Sequence, residues 1–128
     1  MKIDNLNAVN TTALAYMGDA VYEQAVREHI LRKGSYNVNA LHNLATRYVK
    51  APAQARVIKT MFDDLSPQEQ ALVKRARNRK YRTKAKNADP VTYKWATAFE
   101  ALVGYLYLAE DNERLAQVID KALEITMR

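Results

Sequence analysis

Two carboxylates sit inside otherwise apolar segments of this chain, and they are the residues best suited to do chemistry. Asp19 lies within the segment 13–22, and Glu100 lies within the segment 99–108. In the first segment apolar or small residues fall on every side of a helix, so we expect a buried central helix. An ionised carboxylate in such a setting is strongly disfavoured unless it is paired or binds a cation. We therefore expect a positive partner for each acid.

The small residues around the two acids leave room for a hydrated ion. Ala15 lies one turn before Asp19. Thr97 and Gly104 lie one turn to either side of Glu100. If the two helices pack face to face, the carboxylates converge on an oxygen-ligand site that suits Mg²⁺, with Mn²⁺ as a substitute. The spacing therefore predicts a site for a divalent cation.

A structural role for the same acids is the alternative. Each acid could pair with an Arg or Lys that lines the core, or could cap a neighbouring helix end. Glu23 lies one turn after Asp19 and could extend the acidic cluster, but Arg27 follows it by one turn. A solvent-exposed pair between Glu23 and Arg27 is therefore the expected arrangement.

A basic segment, residues 74–86, is the second feature that could carry function, because it contains no acid. Its eight cations are Lys74, Arg75, Arg77, Arg79, Lys80, Arg82, Lys84 and Lys86. With a net charge of +6 for the whole chain, the segment indicates a polyanionic partner such as RNA. Contacts from Lys and Arg to phosphates would make that binding salt-sensitive. A solvated helix face or a loop is the alternative interpretation.

The composition limits the class of protein. A length of 128 residues suits one domain, and the absence of cysteine excludes disulfides, zinc–thiolate sites and thiol nucleophiles. His29 and His42 lack the spacing of metal ligands. No charge-free apolar run approaches the roughly 18 residues that a membrane span needs. We therefore expect a soluble, cytoplasmic protein without a membrane partner.

Helices are the elements that must position these residues. Three Gly and three Pro argue for long helices with short connections. Ser66, Pro67 and Glu69 form a strong start signal, in which the serine caps the helix and the glutamate completes a capping box. We expect helices from a cap at 10–12 to Arg32, from Asn37 to about Lys50, from Ala53 to about Met61, from Ser66 into the basic segment, from Pro90 to Ala109, and after Asn112. The pattern predicts an all-α domain of about six helices.

Taken together, these residues resemble the catalytic domain of the ribonuclease III family. Residues 14–21, LAYMGDAV, are similar to the family's signature helix, usually written L-E-F-L-G-D-A/S-V/I. Residues 96–108, ATAFEALVGYLYL, are similar to its second acidic helix, and residues 41–49, LHNLATRYV, to the helix between them. The resemblance implies a ribonuclease III-type endonuclease fold.

The resemblance also assigns roles to the two acids. Asp19 matches the aspartate of the signature helix and Glu100 matches the glutamate of the second helix, which implies that both are catalytic and bind the metal. Ala15 and Thr97 stand where the family has two further acids. Half of the usual carboxylate set is absent, so the resemblance suggests one Mg²⁺ with mostly water ligands rather than a full two-metal arrangement.

The chain stops where the family's double-stranded RNA-binding domain would begin, and it resembles the Mini-III subgroup. We expect one catalytic domain over residues 1–128. The resemblance implies a homodimeric endoribonuclease that cuts double-stranded RNA to 5′-phosphate and 3′-hydroxyl ends. Its expected substrate is the precursor of 23S ribosomal RNA, in the context of a ribosomal protein or ribosome assembly. A non-catalytic basic helical RNA-binding homodimer and an RNA-independent protein-interaction module are the alternatives.

Overall fold

The computed structural model describes residues 5–34, 37–79 and 89–128. Over these residues the chain forms six α-helices and no strand, which confirms the all-α prediction. The helices are α1 (Thr11–Arg32), α2 (Val38–Val49), α3 (Ala51–Met61), α4 (Pro67–Asn78), α5 (Pro90–Leu108) and α6 (Asn112–Thr126). Short 3₁₀ helices precede α1 at Leu6–Ala8 and follow α3 at Phe62–Asp64. None of the helices in these ranges is both long and apolar enough to cross a bilayer.

Side-chain caps start the helices at the predicted positions. Asn10 and Asn37 accept hydrogen bonds from the backbone of α1 and α2. Ser66 and Glu69 form the complete capping box at the start of α4, with hydrogen bonds of 3.1 and 2.9 Å. Asp89 accepts from two backbone N–H groups at the start of α5. Each cap satisfies donors that would otherwise lack a partner in the first helical turn.

The third helix begins at Ala51, two residues earlier than the sequence indicated. Pro52 lies in its first turn, where a missing N–H breaks no hydrogen bond. Lys50 alone separates the two helices, as the C-cap of α2 and the N-cap of α3.

The central helix of the fold is α5, which packs against α1, α3, α4 and α6. Its segment 96–99 and the segment 101–104 are buried. The expectation that α1 is the buried central element was wrong. The helix α1 packs on α5 with one side, while Ala13, Tyr16 and Ala20 on its other side are exposed, Tyr16 to 82%. Alanines are inexpensive to expose, so their presence on every side of α1 did not indicate burial.

Candidate active site

Two glycines allow α1 and α5 to cross with their backbones in contact. A Cβ atom on Gly18 would overlap the carbonyl oxygen of Glu100, and a Cβ atom on Gly104 would overlap the carbonyl oxygen of Leu14. The helices can therefore approach this closely only because neither position carries a side chain. Asp19 follows Gly18 directly, so the crossing places its side chain next to that of Glu100.

The two carboxyl groups lie close enough to hydrogen-bond each other. Burial, and after it the hydrogen bond to Asp19 and the negative charge of Asp19, together raise the pKa of Glu100 to about 9. The amide of Gln54, on α3, acts in the opposite direction. Two like charges this close cannot both ionise readily without a cation. The pair therefore holds a proton on Glu100 near neutral pH unless positive charge enters the site.

The exposure of the two acids differs. Glu100 is partly buried between α5 and its neighbours, whereas Asp19 is exposed. This corrects the expectation that Asp19 is a buried charge in an apolar helix, because the side of α1 that carries it faces solvent. A substrate can therefore reach the pair from the Asp19 side.

Gln54 is a site residue that the sequence analysis missed. It is 2% exposed, and its Nε2 donates to the carbonyl oxygen of Val49 at 3.0 Å. Its Oε1 is buried and has no hydrogen-bond partner among the described residues. An unpartnered buried carbonyl oxygen is unfavourable, and this one lies on the side chain that approaches Glu100. The only sequence signal was a single amide between the apolar residues of α3.

The alternative that each acid pairs with its own cation finds no support. No Lys, Arg or His of the described ranges lies within 4 Å of either carboxylate as an ion-pair partner. Glu23 instead pairs with Arg27 at 2.8 Å on the exposed face of α1, as predicted. Glu23 therefore belongs to a surface ion pair, whereas Asp19, one turn earlier, has no cationic partner among the described residues.

A divalent cation fits this donor set, although with few protein ligands. The two carboxylates offer oxygen donors, and Mg²⁺ commonly keeps several waters beside one or two carboxylates. In the part of the chain that the structure describes, no group of three His, Asp or Glu side chains surrounds a common point. The hydroxyl of Thr97 donates to the carbonyl oxygen of Tyr93 at 2.9 Å, so it is already engaged.

The structure places half of the basic segment. Lys74, Arg75 and Arg79 are exposed on or just after α4. Arg77 is partly buried, with its guanidinium carbon 4.9 Å from the centre of the Trp95 ring. The remaining predicted cations, Lys80, Arg82, Lys84 and Lys86, lie outside the described residues, so their contribution stays a prediction.

Comparison with known proteins finds relatives both by sequence and by structure. A family model described as the ribonuclease III domain matches residues 12–111. The chain is 48% identical to a mini-ribonuclease 3 of Brevibacillus brevis, over 93% of this chain and 89% of that protein. It is 45% identical to a mini-ribonuclease 3 of Streptococcus pneumoniae, over 94% and 95% of the two chains. A crystal structure of a protein from Fusobacterium nucleatum superposes with a TM-score of 0.80 and 31% identity, covering 87% of this chain and 85% of that one.

Proposed function

Because the chain belongs to the ribonuclease III family and is an endoribonuclease, we propose that Asp19 and Glu100 hold the Mg²⁺ with which it hydrolyses double-stranded RNA. One observation carries the proposal. The glycine crossing brings together two carboxylates from distant parts of the sequence and leaves them without a counter-cation among the described residues. Mn²⁺ would substitute, since it accepts the same oxygen ligands.

The roles of the side chains follow from their surroundings. When bound, a divalent cation would neutralise charge on the scissile phosphate and lower the pKa of a water for in-line attack. Glu100 gives up its carboxyl proton when positive charge enters the site, since burial and Asp19 are what hold that proton. Asp19, on the solvent side, meets the substrate end of the site, and the Oε1 of Gln54 is free to accept a hydrogen bond from a water.

The test is cleavage of a long RNA duplex by Asp19→Asn and Glu100→Gln variants. We expect each variant to lose roughly a thousandfold or more in rate with Mg²⁺, while circular dichroism shows an unchanged fold. Glu23→Gln is the matched control, because Glu23 lies one turn along α1 and pairs with Arg27 on the surface. Wild-type rates in both site variants would refute the assignment. Binding of the duplex in chelator without cleavage on adding Mg²⁺ or Mn²⁺ would instead favour a non-catalytic RNA-binding protein.

We further propose that the protein acts as a homodimer through the exposed side of α1. Tyr16 is 82% exposed and is flanked on this side by Ala13 and Ala20, a combination that favours burial against a second copy. A two-fold dimer would present one carboxylate pair to each strand of a duplex. Sedimentation should give a dimer mass for the wild type and a monomer mass for Tyr16→Glu. Val91→Glu, at another exposed apolar residue, is the control that should remain dimeric.

We propose the precursor of 23S ribosomal RNA as the substrate, which the protein meets in the cytoplasm during ribosome assembly, beside a ribosomal protein bound to the same RNA. The support is the similarity to mini-ribonucleases 3 over nearly the whole chain. Incubation with the paired ends of a 23S precursor should give one cut per strand, with 5′-phosphate and 3′-hydroxyl products. A duplex of equal length and unrelated sequence is the control, and equal cleavage of both would argue against a dedicated substrate.

A further inference from the structure

Four cations without an assigned role lie along the α2–α3 junction and α3. They are Arg47, Lys50, Arg56 and Lys59, and all four are exposed. The sequence contains no acid from residue 47 to residue 62. We call these four residues the α3 basic face. Because the four cations are spread over thirteen positions, they do not form a contiguous basic segment in the sequence.

At one end of this face, three of the cations line a single cavity. Arg47, Lys50 and Arg56 surround a cavity of about 440 Å³, and no acidic side chain lines it. Arg56 is fixed in place because it donates to the carbonyl oxygen of Ile125 at 2.6 Å. Three positive groups around one space, without an acid in its lining, favour an anionic occupant such as a phosphate group.

At the other end, cations gather around an aromatic pair. The Nζ of Lys59 lies 5.6 Å from the centre of the Trp95 ring, over which Arg77 also lies. The Nζ of Lys74 lies 5.7 Å from the centre of the Phe62 ring, and the two rings meet edge to face. Cation–π contacts hold these like charges close together, and the carboxylate of Asp89 at the start of α5 is near enough to Lys59 to act on it electrostatically. None of the three cations has a carboxylate within 4 Å in the ranges that the structure describes.

The α3 basic face has cations both before and after Gln54, the residue of α3 that approaches the carboxylate pair. Gln54 approaches Glu100, and five residues later Lys59 lies over Trp95, which is five residues before Glu100. The helices α3 and α5 are therefore antiparallel here, and the two contacts are separated by roughly 7.5 Å along the helix axis. Lys50 lies one turn before Gln54. Phosphates of one strand follow each other at a few ångströms along a duplex, so neighbours of a phosphate at the carboxylate pair can reach the face.

We propose that the α3 basic face binds backbone phosphates of double-stranded RNA next to the cleaved bond. In this arrangement the strand runs from the carboxylate pair along α3 to Lys74 and Arg77, where the basic segment begins. The proposal rests on the proposed function, since it names the protein surface that holds the same substrate. Phosphate contacts carry no base identity, so the face contributes affinity and position rather than sequence preference.

The test uses a double variant, Lys50→Gln with Lys59→Gln, and leaves Arg56 intact because of its hydrogen bond to Ile125. The control is Lys33→Gln with Lys121→Gln, which removes the same charge from two exposed or half-exposed lysines at the end of α1 and on α6. Fluorescence anisotropy of a labelled RNA duplex is recorded in chelator at several salt concentrations. The slope of log affinity against log salt should become shallower by about two units in the double variant. The control should keep the wild-type slope.

Cleavage kinetics with Mg²⁺ provide the second measurement. We expect the double variant to raise KM roughly fivefold or more and to leave kcat within about twofold, because neither lysine touches the reacting atoms. If the wild type binds and cuts duplex RNA while the double variant keeps its salt slope and KM, the α3 basic face is not the binding surface, although the nuclease assignment stands. If the wild type neither binds nor cuts duplex RNA, the proposed function fails and this inference fails with it.

Discussion

The carboxylate pair and the α3 basic face are built in opposite ways. Asp19 and Glu100 are brought together by backbone contact between two helices at Gly18 and Gly104, where no added atom fits. The cations of the basic face are exposed, belong to two neighbouring helices, and depend on flexible side chains. A group that must hold reacting atoms to within a fraction of an ångström requires the first construction. A surface that follows a polyanion can use the second.

The difference predicts two kinds of response to mutation. Changes at the crossing should act on fold and chemistry together and should be large. Changes among the cations should act on affinity alone, should be small for each residue, and should add.

Gly104→Ala should be the most damaging single change at the crossing. Its Cβ would overlap the carbonyl oxygen of Leu14, so α1 and α5 would have to separate. Helix propensity alone would make alanine more stable by about 1 kcal/mol. We expect urea unfolding to show the opposite effect, a decrease of about 3 kcal/mol or more in the free energy of unfolding. Cleavage should be lost as well. An unchanged or higher unfolding midpoint would show that the helices have room and that the contrast is wrong.

Glu100→Gln should change how stability depends on pH in the absence of metal. Burial, helped by Asp19, raises the pKa of Glu100 to about 9 in the folded protein, while in the unfolded chain it titrates near its ordinary value of 4.5. Between these values the folded state binds the extra proton, so wild-type stability should fall as pH rises from about 5 to 9. In chelator the variant should lack this decline and should be the more stable protein at pH 8. Parallel curves for the two proteins would mean that Glu100 ionises freely.

Glu69→Gln measures how much the contact between α4 and Arg114 contributes to stability. The helix α4 carries the start of the basic segment. Glu69 accepts two hydrogen bonds of 2.8 Å from Arg114, and this arginine lowers the pKa of Glu69. We expect a loss of about 1–2 kcal/mol in unfolding free energy at pH 7. Because the folded pKa is depressed, the difference should shrink as pH falls below about 4.5. Glu124→Gln, in an exposed pair with Arg128, should leave the unfolding free energy nearly unchanged.

Arg75→Gln should have the smallest effect. Arg75 is exposed on α4, so its loss should weaken binding of duplex RNA in chelator about two- to fivefold and leave stability unchanged. Arg79→Gln should behave alike, and the double variant should show the product of the two factors. A single substitution that abolished binding would mean that one cation, rather than a distributed surface, holds the RNA.

Much of the fold could be predicted because its signals are local. The caps at Asn10, Asn37, Ser66 and Asp89 all start helices as expected, since each satisfies backbone donors within its own turn. The proximity of Asp19 and Glu100 was expected on the condition that their helices pack face to face, and the glycine crossing meets that condition. The exposure of Asp19 was not, because the residues around it are apolar in type but small enough to face solvent.

The missed residues share a different property, since their function depends on partners distant in sequence. Gln54 is one amide on the buried side of α3, and only its approach to Glu100 gives it significance. Lys59 acquires its neighbours from α4 and α5. A scan for runs of charge finds residues 74–86 and overlooks cations placed every few residues along α3. Such surfaces become visible only when the helices that share them are packed together.

Trp95 has a practical consequence, because the chain contains one tryptophan. A lysine ammonium and an arginine guanidinium both lie near its indole ring. Indole fluorescence is sensitive to nearby charge. Phosphates that move these cations away from the ring should therefore change the wavelength or the intensity of the Trp95 emission. The protein thus contains its own optical probe of RNA arrival, and stopped-flow mixing could time that arrival against strand scission without a dye on either molecule.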